Sequence, residues 1–441
     1  MKKALLKLMF LLAVLCLFNI DSYGQLKKTG TVEKVKLFHN GSVPLCKSIL
    51  NDPSIEIYSV VLSNWSSLYD DIVLCLGTKD ELIKNLSDLS LALKDGKKGD
   101  VYEFSAWGQD YHLSYHKVLG DVCFNVYHLM ARWKQSIVRT GIPFYAVPGN
   151  HDHVHEIDTD RKSTEVYTEY FGPENYAFFI GKDLVIMLDN IIHGLRSKHK
   201  YTEGYNDEQL AWVKALLKLI PKTTDIYIGQ HSPTNGRAHL SGGKETDLII
   251  KGKELLSLFG DRSVHIISGH NHINRNFQYA PNIIEHNVAA ICGTWWDAYH
   301  CKDGTPRGYK VYTKNDGILT WYYKSVGKDK DFQYEIFRPG ETKRNSESVV
   351  VNLWDYDRNW RVIWFEDGVH KGSMKRVKEY NPFHTAEVEA TFAKKGKPVT
   401  SWKRTTKGYQ YFAAKPSEGA KKITIIISNP FGQEWVENII L

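Results

Sequence analysis

The sequence predicts an α/β layered domain followed by an all-β segment, and three observations carry that expectation. Between about residues 71 and 300, short apolar runs rich in Val, Ile and Leu alternate with stretches whose apolar residues recur at helical spacing. Several of those runs end in a glycine next to an Asp, Asn or His, where a strand stops at a loop. Beyond about residue 300 the helical spacing gives way to short alternating strands separated by Gly, Asn and Asp turns, the pattern of a β-sandwich.

Taken in order, "TVEKVKLFH" and "IEIYSVVLS" read as strands, with "HNGS" and "NDPS" as turns. "DIVLCLG" is a strand. The following "DELIKNLSDLSLALKDG" places Leu82, Leu86, Leu89 and Leu93 on one helical face and stops near Gly96. "YHKVLGD" closes a strand, "NVYHLMARWKQSIVRTG" is a helix with Gly141 as its stop, and "PFYAVPGN" and "DLVIMLDN" are strands. "NDEQLAWVKALLKLIP" is a helix with Asn206 as N-cap and Gln209 completing a capping box. "DIYIGQH" and "VHIISGH" are two further strands, and strands flanked by helices in this succession give a layered domain. The last part, from "GYKVYTKND" and "GILTWYYKS" through "SVVVNLWDYD" and "WRVIWFEDG" to "GYQYFAAKP" and "KKITIIISNP", is strand after strand.

Length and composition bound the function. At 441 residues the chain is too long for one ordinary core and predicts two or three domains. Hydrophobic residues are 42% and charged residues 24%, the profile of a globular protein. The net charge of +7 is spread over short clusters such as Lys394–Lys395 and Lys421–Lys422, so no nucleic-acid stripe is visible. A basic start at Lys2 and Lys3, an apolar stretch from Ala4 to Phe18, and small residues Ser22 and Gly24 before Gln25 form a secretory signal peptide, residues 1–24, cleaved near Gly24. That segment is too short to span a bilayer, no later stretch is apolar enough to do so, and a secreted or periplasmic location is expected. Five cysteines follow it, an odd number without CxxC. This argues against a disulfide scaffold and for buried thiols, with Cys292–Cys301 the one pairing weighed.

Four core strands deliver donor residues. "VLGD" ends in Asp121; "AVPGN" ends in Asn150, followed by His151 and Asp152; "YIGQH" ends in His231; and "IISGHNH" carries His270 and His272. In an open α/β sheet, ligands bind beyond the carboxyl ends of the strands, so these O and N donors are expected to converge on one metal site. Mixed carboxylate, amide and imidazole donors suit Mn, Fe or Zn.

With "GD", "GNHD" and "GHNH" in this order, residues 71 to 300 resemble the calcineurin-like metallophosphoesterase family. The stretches "YFGPENYAFFIGKDLVIMLDN", "CGTWWDAY" and "DGTPRGYKVY" look like its exported branch, with an N-terminal Ig-like segment and a C-terminal β-domain. The resemblance implies a four-layer α/β/β/α sandwich around two divalent ions. It divides the chain into a β segment at 25–70 (Ig-like or degenerate), the phosphoesterase domain at 71–305 and a β-rich domain at 306–441. It makes Asp121 the bridging carboxylate, assigns Asn150, His231 and His270 to one ion, and assigns His272 to the other. His151 becomes the acid that protonates the leaving oxygen, with Asp152 orienting it. Trp295 and Trp296 follow the last core strand, where they are expected either to wall the substrate, a small phosphomonoester or phosphodiester, or to pack between domains.

The chain departs from that pattern at its first motif. The family opens with Asp-x-His or Asp-x-Gln, whereas "IVLCLGTKDE" puts Thr78 at the Asp position and Asp80 at the third. Asp110 and His112 form an Asp-x-His by letter, too close to Asp121 to lie on the usual first strand. Asn125 stands where many relatives carry Asp. The leading expectation is an exported metal-dependent phosphoesterase. The alternative, raised by Thr78, is a weakened or inactive phosphoesterase-fold binding protein holding one ion instead of two.

Overall fold

The computed structural model describes residues 35–37, 56–62, 71–77, 116–123, 125–139, 144–180, 183–194, 201–236, 247–315 and 317–441. The signal peptide, the helix expected over 80–96, and Thr78, Asp80, Asp110 and His112 lie outside the described residues. Among the described residues no helix is long and apolar enough to cross a membrane.

The chain forms two compact units, one comprising Met1–His270 and Tyr279–Glu285, the other Asn271–Gln278 and His286–Leu441. The first begins with β1 (Val35–Leu37), β2 (Glu56–Leu62), β3 (Asp71–Gly77) and β4 (His116–Val118), followed by α1 (Leu129–Val138) and β5 (Phe144–Ala146). Next come α2 (Asp160–Ser163), α3 (Glu165–Phe171), β6 (Tyr176–Ile180), β7 (Asp183–Leu188), β8 (Ile191–His193) and β9 (Tyr201–Glu203). They are followed by α4 (Asp207–Leu219), β10 (Ile226–Gln230), α5 (Gly252–Leu258), β11 (Val264–Ser268), β12 (Arg275–Ala280) and β13 (Ile283–Asn287).

A nine-stranded sheet runs in the order β1-β2-β3-β6-β7-β10-β11-β13-β12, and the boundary between the units falls inside its last two strands. Its centre, β7-β10-β11, is parallel, with Ile228 paired to Ile186 on one side and Ile266 on the other. These strands are near-continuous Val, Ile and Leu runs because both faces are covered. β4 and β5 form a separate two-stranded parallel pair, Val118 opposite Ala146.

The helix α4 buries Trp212, Val213, Leu216 and Leu217 against this sheet, in one core with Ile186, Ile228 and Ile266. Its start is set by the reciprocal capping box of Asn206 and Gln209. Its end is closed by Arg262, whose guanidinium donates to the carbonyls of Leu217 (2.8 Å), Ile220 (3.2 Å) and Pro221. A second core joins α1, α3 and β5 through Trp133, Phe144 and Phe171, packed edge to face with centroids 5.6–6.4 Å apart. The helix α1 begins at Leu129 and ends at Val138, shorter than "NVYHLMARWKQSIVRTG" predicts, because Asn125 takes a left-handed turn (φ 63°) ahead of it.

The second unit contains β14 (Gly308–Asn315), β15 (Ile318–Ser325), β16 (Tyr334–Phe337), β17 (Val349–Leu353), β18 (Arg361–Glu366), β19 (Val369–Ser373) and β20 (Lys375–Tyr380). It ends with α6 (Pro382–Lys394), β21 (Lys407–Ala414), β22 (Lys422–Ser428) and β23 (Glu434–Ile440). Sheets β16-β17-β21-β20 and β19-β18-β22-β23 form a sandwich. Between them lie Val349, Val351, Val362, Phe412, Ile423, Ile425 and Ile427. Trp354 and Trp360 are buried, as core tryptophans are. The helix α6 is inserted in this unit and is capped by Asn381, whose side chain accepts from the His384 N–H. Cys292 and Cys301 are both free thiols, so the pairing weighed from the sequence is not formed.

Candidate metal centre

The donors expected from the sequence sit just beyond four strand ends. Asp121 follows β4 by three residues, Asn150 follows β5 by four, His231 directly follows β10, and His270 follows β11 by two. Asp121 (φ 57°) and His270 (φ 66°) both take the left-handed conformation that non-glycine residues avoid, so the loops bend back at the donor residues themselves. Gly120 and Gly149 allow the β4 and β5 loops to touch backbone to backbone. A Cβ on Gly120 would lie 2.5 Å from the Gly149 nitrogen, and one on Gly149 would collide with the Asp121 carboxylate.

Asp121, His231 and His270 bring their ligand atoms within 4.8 Å of one another. His231 Nε2 lies 2.9 Å from His270 Nδ1, 3.2 Å from Asn150 Oδ1 and 3.4 Å from Asp121 Oδ2. The far nitrogen of each imidazole fixes its tautomer. His231 Nδ1–H donates to the Leu119 carbonyl, which can only accept. His270 Nε2 faces Glu203 Oε1 at 3.0 Å, so its proton is engaged there. With both rings neutral, two nitrogen lone pairs, an amide oxygen and a carboxylate oxygen point at one another with no hydrogen among them. Such a donor set calls for a cation, and imidazole, amide and carboxylate together fit a transition-metal ion. The partners at the far nitrogens are those that orient metal-ligating histidines.

Electrostatics agree with a charged centre. Burial would raise the Asp121 carboxyl, but His231, then His151 and His270, outweigh it and hold the group well below the usual carboxylate range. Burial would lower His231, yet Asp121 outweighs it and the imidazole is raised. Burial and the Asp121 charge push Asp152 up to about 6.

Asp152 has a different place from the one the sequence suggests. Its carboxylate accepts the backbone N–H groups of Val122 (2.9 Å), Cys123 (3.2 Å) and Gly149 (2.9 Å), tying the β4 and β5 loops together. The group facing His151 Nδ1 is Asn125 Oδ1, at 3.1 Å. Asp152 is thus a scaffold for the loops and Asn125 the orienter of His151. The physical reason is the left-handed turn at Asn125, locked by its N–H to the His151 carbonyl (3.1 Å), which swings its amide onto the imidazole. The His151 N–H in turn donates to Asp121 Oδ1 (3.0 Å).

The other histidines of the crowded loop separate. His155 Nε2 donates to the Asn150 carbonyl (2.9 Å). His153 is buried between Ser163 Oγ (2.8 Å) and Asp189 (3.5 Å), which makes it a core residue. His272, Trp295 and Trp296 belong to the second unit. There the His272 Nδ1–H donates to the Gly293 carbonyl (3.1 Å), and its ring stacks on Trp295 with centroids 4.3 Å apart. Two residues escaped the sequence reading. Glu203 sits on a three-residue strand with no glycine or histidine to mark it, and Leu119 acts through its carbonyl alone.

Comparison with known proteins bears on this geometry. Residues 86–274 match the family model of calcineurin-like phosphoesterases, and residues 285–435 match that of the C terminal of calcineurin-like phosphoesterase. A probable glycerophosphodiester phosphodiesterase of Arcobacter nitrofigilis is 28% identical over 137 residues, covering 29% of this chain and 47% of that protein. The chain therefore spans about half the length of the curated relative it matches. The crystal structure of a dimetal phosphatase from Danio rerio superposes with a TM-score of 0.32 at 14% identity, covering 50% of this chain and 79% of that one. The chain carries a calcineurin-like phosphoesterase domain followed by the C-terminal domain of that family.

Proposed function

We propose that this chain is an exported, metal-dependent phosphoesterase, with phosphodiesters as its preferred class. The observation that carries the proposal is the 2.9 Å approach of His231 Nε2 to His270 Nδ1, each ring having its other nitrogen engaged by an oxygen. Asp121, Asn150, His231 and His270 would hold one divalent ion, and the family resemblance gives His272 to a second. When bound, such ions supply positive charge against the phosphoryl oxygens and lower the pKa of the attacking water. His151, held through Nδ1 by Asn125, keeps Nε2 for the substrate and delivers a proton to the departing oxygen from there. The diester preference is supported by the printed name of the Arcobacter relative. Export is supported by the apolar stretch from Ala4 to Phe18.

The test is hydrolysis of bis(4-nitrophenyl) phosphate and 4-nitrophenyl phosphate by protein loaded with manganese, beside elemental analysis of bound metal. Faster turnover of the diester is expected. His231→Ala and His270→Ala should lose metal and activity together. His151→Ala should keep its metal and lose about 10²- to 10⁴-fold in kcat. Loaded protein that hydrolyses neither ester would overturn the enzyme reading. It would favour the second one, motivated by Thr78 in the first motif: a phosphoesterase-fold binding protein with a single ion.

A further inference from the structure

The second unit exposes an arrangement that its core does not explain. Trp296 is 73% exposed, whereas Trp354 and Trp360 in the same unit are 1% and 7% exposed. Trp295 (φ 50°) and Trp296 (φ 63°) are consecutive left-handed residues, a conformation that costs a bulky side chain roughly 1–2 kcal/mol each. The strain is held in place from several sides. The Trp296 N–H donates to the Cys292 carbonyl (2.9 Å), and the Asp297 N–H to the Thr294 carbonyl (2.9 Å). The Asp297 carboxylate is clamped by Lys395 and Lys403, each at 2.5 Å. Strain so firmly held, presenting an indole to solvent, points to use of that indole.

A cation stands beside it. The Arg307 guanidinium lies 5.9 Å from the Trp296 ring centroid and 5.4 Å from that of Tyr299. Its Nε is buried without a hydrogen-bond partner, and among the described residues no carboxylate pairs with it. Lys395 and Lys403, by contrast, share the Asp297 carboxylate. The backbone carrying Arg307 is rigid. Its N–H donates to the Tyr299 carbonyl (2.9 Å), its carbonyl accepts from the Val326 N–H (2.9 Å), and the preceding turn is pinned by Asp303 accepting from Thr305 N–H (3.0 Å) and Oγ1 (2.9 Å). An arginine with unused donors, fixed beside an exposed indole, matches a ligand with a ring and an anionic group a few ångströms apart. Trp295, next in sequence, stacks on His272 with centroids 4.3 Å apart, so the neighbouring indole is fixed within the same unit.

We infer that Trp296 and Arg307 form a binding site of the second unit for a ring-bearing phosphate, the indole stacking on the ring and the guanidinium pairing with the anion. The inference goes beyond the phosphoesterase reading and does not depend on it. Nucleotides and sugar phosphates share that chemistry.

The experiment is titration calorimetry on the whole chain stripped of metal with chelator, so that binding is read apart from catalysis. AMP, glucose 1-phosphate, glycerol 3-phosphate and adenosine are the probes. At least one ring-bearing phosphate should bind, and glycerol 3-phosphate and adenosine should bind at least tenfold more weakly. Trp296→Ala and Arg307→Ala should each weaken the bound probe at least tenfold, and Arg307→Lys should weaken it less. Binding of AMP alone identifies a nucleotide site, of glucose 1-phosphate alone a sugar-phosphate site, and of both a site that reads the ring without choosing. If neither binds, or if both alanine variants melt like the parent and bind like it, the subsite is overturned. Turnover of bis(4-nitrophenyl) phosphate by the loaded parent protein tests the catalytic reading separately, so the two can fail independently.

Discussion

His231 and His270 would repel as neutral rings placed this way, because each directs an unprotonated nitrogen at the other. What fixes those nitrogens lies far along the chain: the Leu119 carbonyl for one ring and the Glu203 carboxylate for the other. Removing such a partner typically costs about 10–100-fold in metal affinity, and Glu203→Ala should fall in that range by competition with a chromophoric chelator. An unchanged affinity would show that Glu203 does not set the His270 tautomer. Asn125 makes a complementary case. Because it sits at φ 63°, Asn125→Gly removes the amide without forcing a side chain into left-handed space. We expect kcat to fall about tenfold while bound metal stays constant, since proton transfer depends on ring orientation and Asn125 touches His151 rather than a ligating atom. A loss of metal in this variant would contradict the assignment. The strand-end strings made the donor residues visible in the sequence. The orienting groups were not, because a carbonyl carries no side-chain signature and Glu203 is one acid among many.

Strand ends and short clamps decide how far these elements can shift. The β4 and β5 loops approach so closely at Gly120 and Gly149 that neither position has room for a Cβ. Gly149→Ala would drive a methyl group into the Asp121 carboxylate, so metal affinity should drop while the sandwich of the second unit melts as before. Loss of neither would mean that the loops can part. The second unit has its own clamp. His300 faces Glu387 on α6 at 2.8 Å and Glu335 on β16 at 3.1 Å. Burial would lower its pKa, but the two carboxylates outweigh burial and raise it from 6.5 to about 9. A folded-state pKa above the unfolded value gives stability that is complete below about pH 6.5 and is lost as the pH rises through about 9. A shift of that size is worth at most about 3 kcal/mol. In urea unfolding, the gap between parent and His300→Gln should therefore be wide at pH 6 and nearly closed at pH 10. A gap that persists at pH 10 would show that packing, and not charge, holds the clamp. The strand that carries Glu335 is not among those read from the sequence. Nor could periodicity reveal that residues 35 and 87 positions away meet at one imidazole.

At the scale of the molecule, the division between alternating and all-strand sequence was legible because it follows from hydrophobic period, 3.6 against 2. The central strands were legible too, because strands covered on both faces are apolar throughout, whereas their parallel pairing appears only in the structure. The stretch from Asn150 to Glu156 resolved only in three dimensions: nothing in the sequence separates His153, a buried core residue, from its neighbours at the site. Two compact units also make a prediction about how ligation spreads. A metal that binds the folded state at 100 times its dissociation constant stabilises it by about 2.7 kcal/mol, or about 100-fold slower opening. That energy enters through Asp121, Asn150, His231 and His270, so amide exchange should slow at the ends of β4, β5, β10 and β11 when manganese is added. Strands β17, β18, β21 and β22, whose inward residues build the sandwich core, should exchange as before. Protection at His272 and at the Cys292–Trp296 turn would report that an ion is also held in the second unit. Slowing confined to the four strand ends would mean that one ion is held. Uniform slowing throughout the sandwich, or none at the strand ends, would refute this placement of the centre.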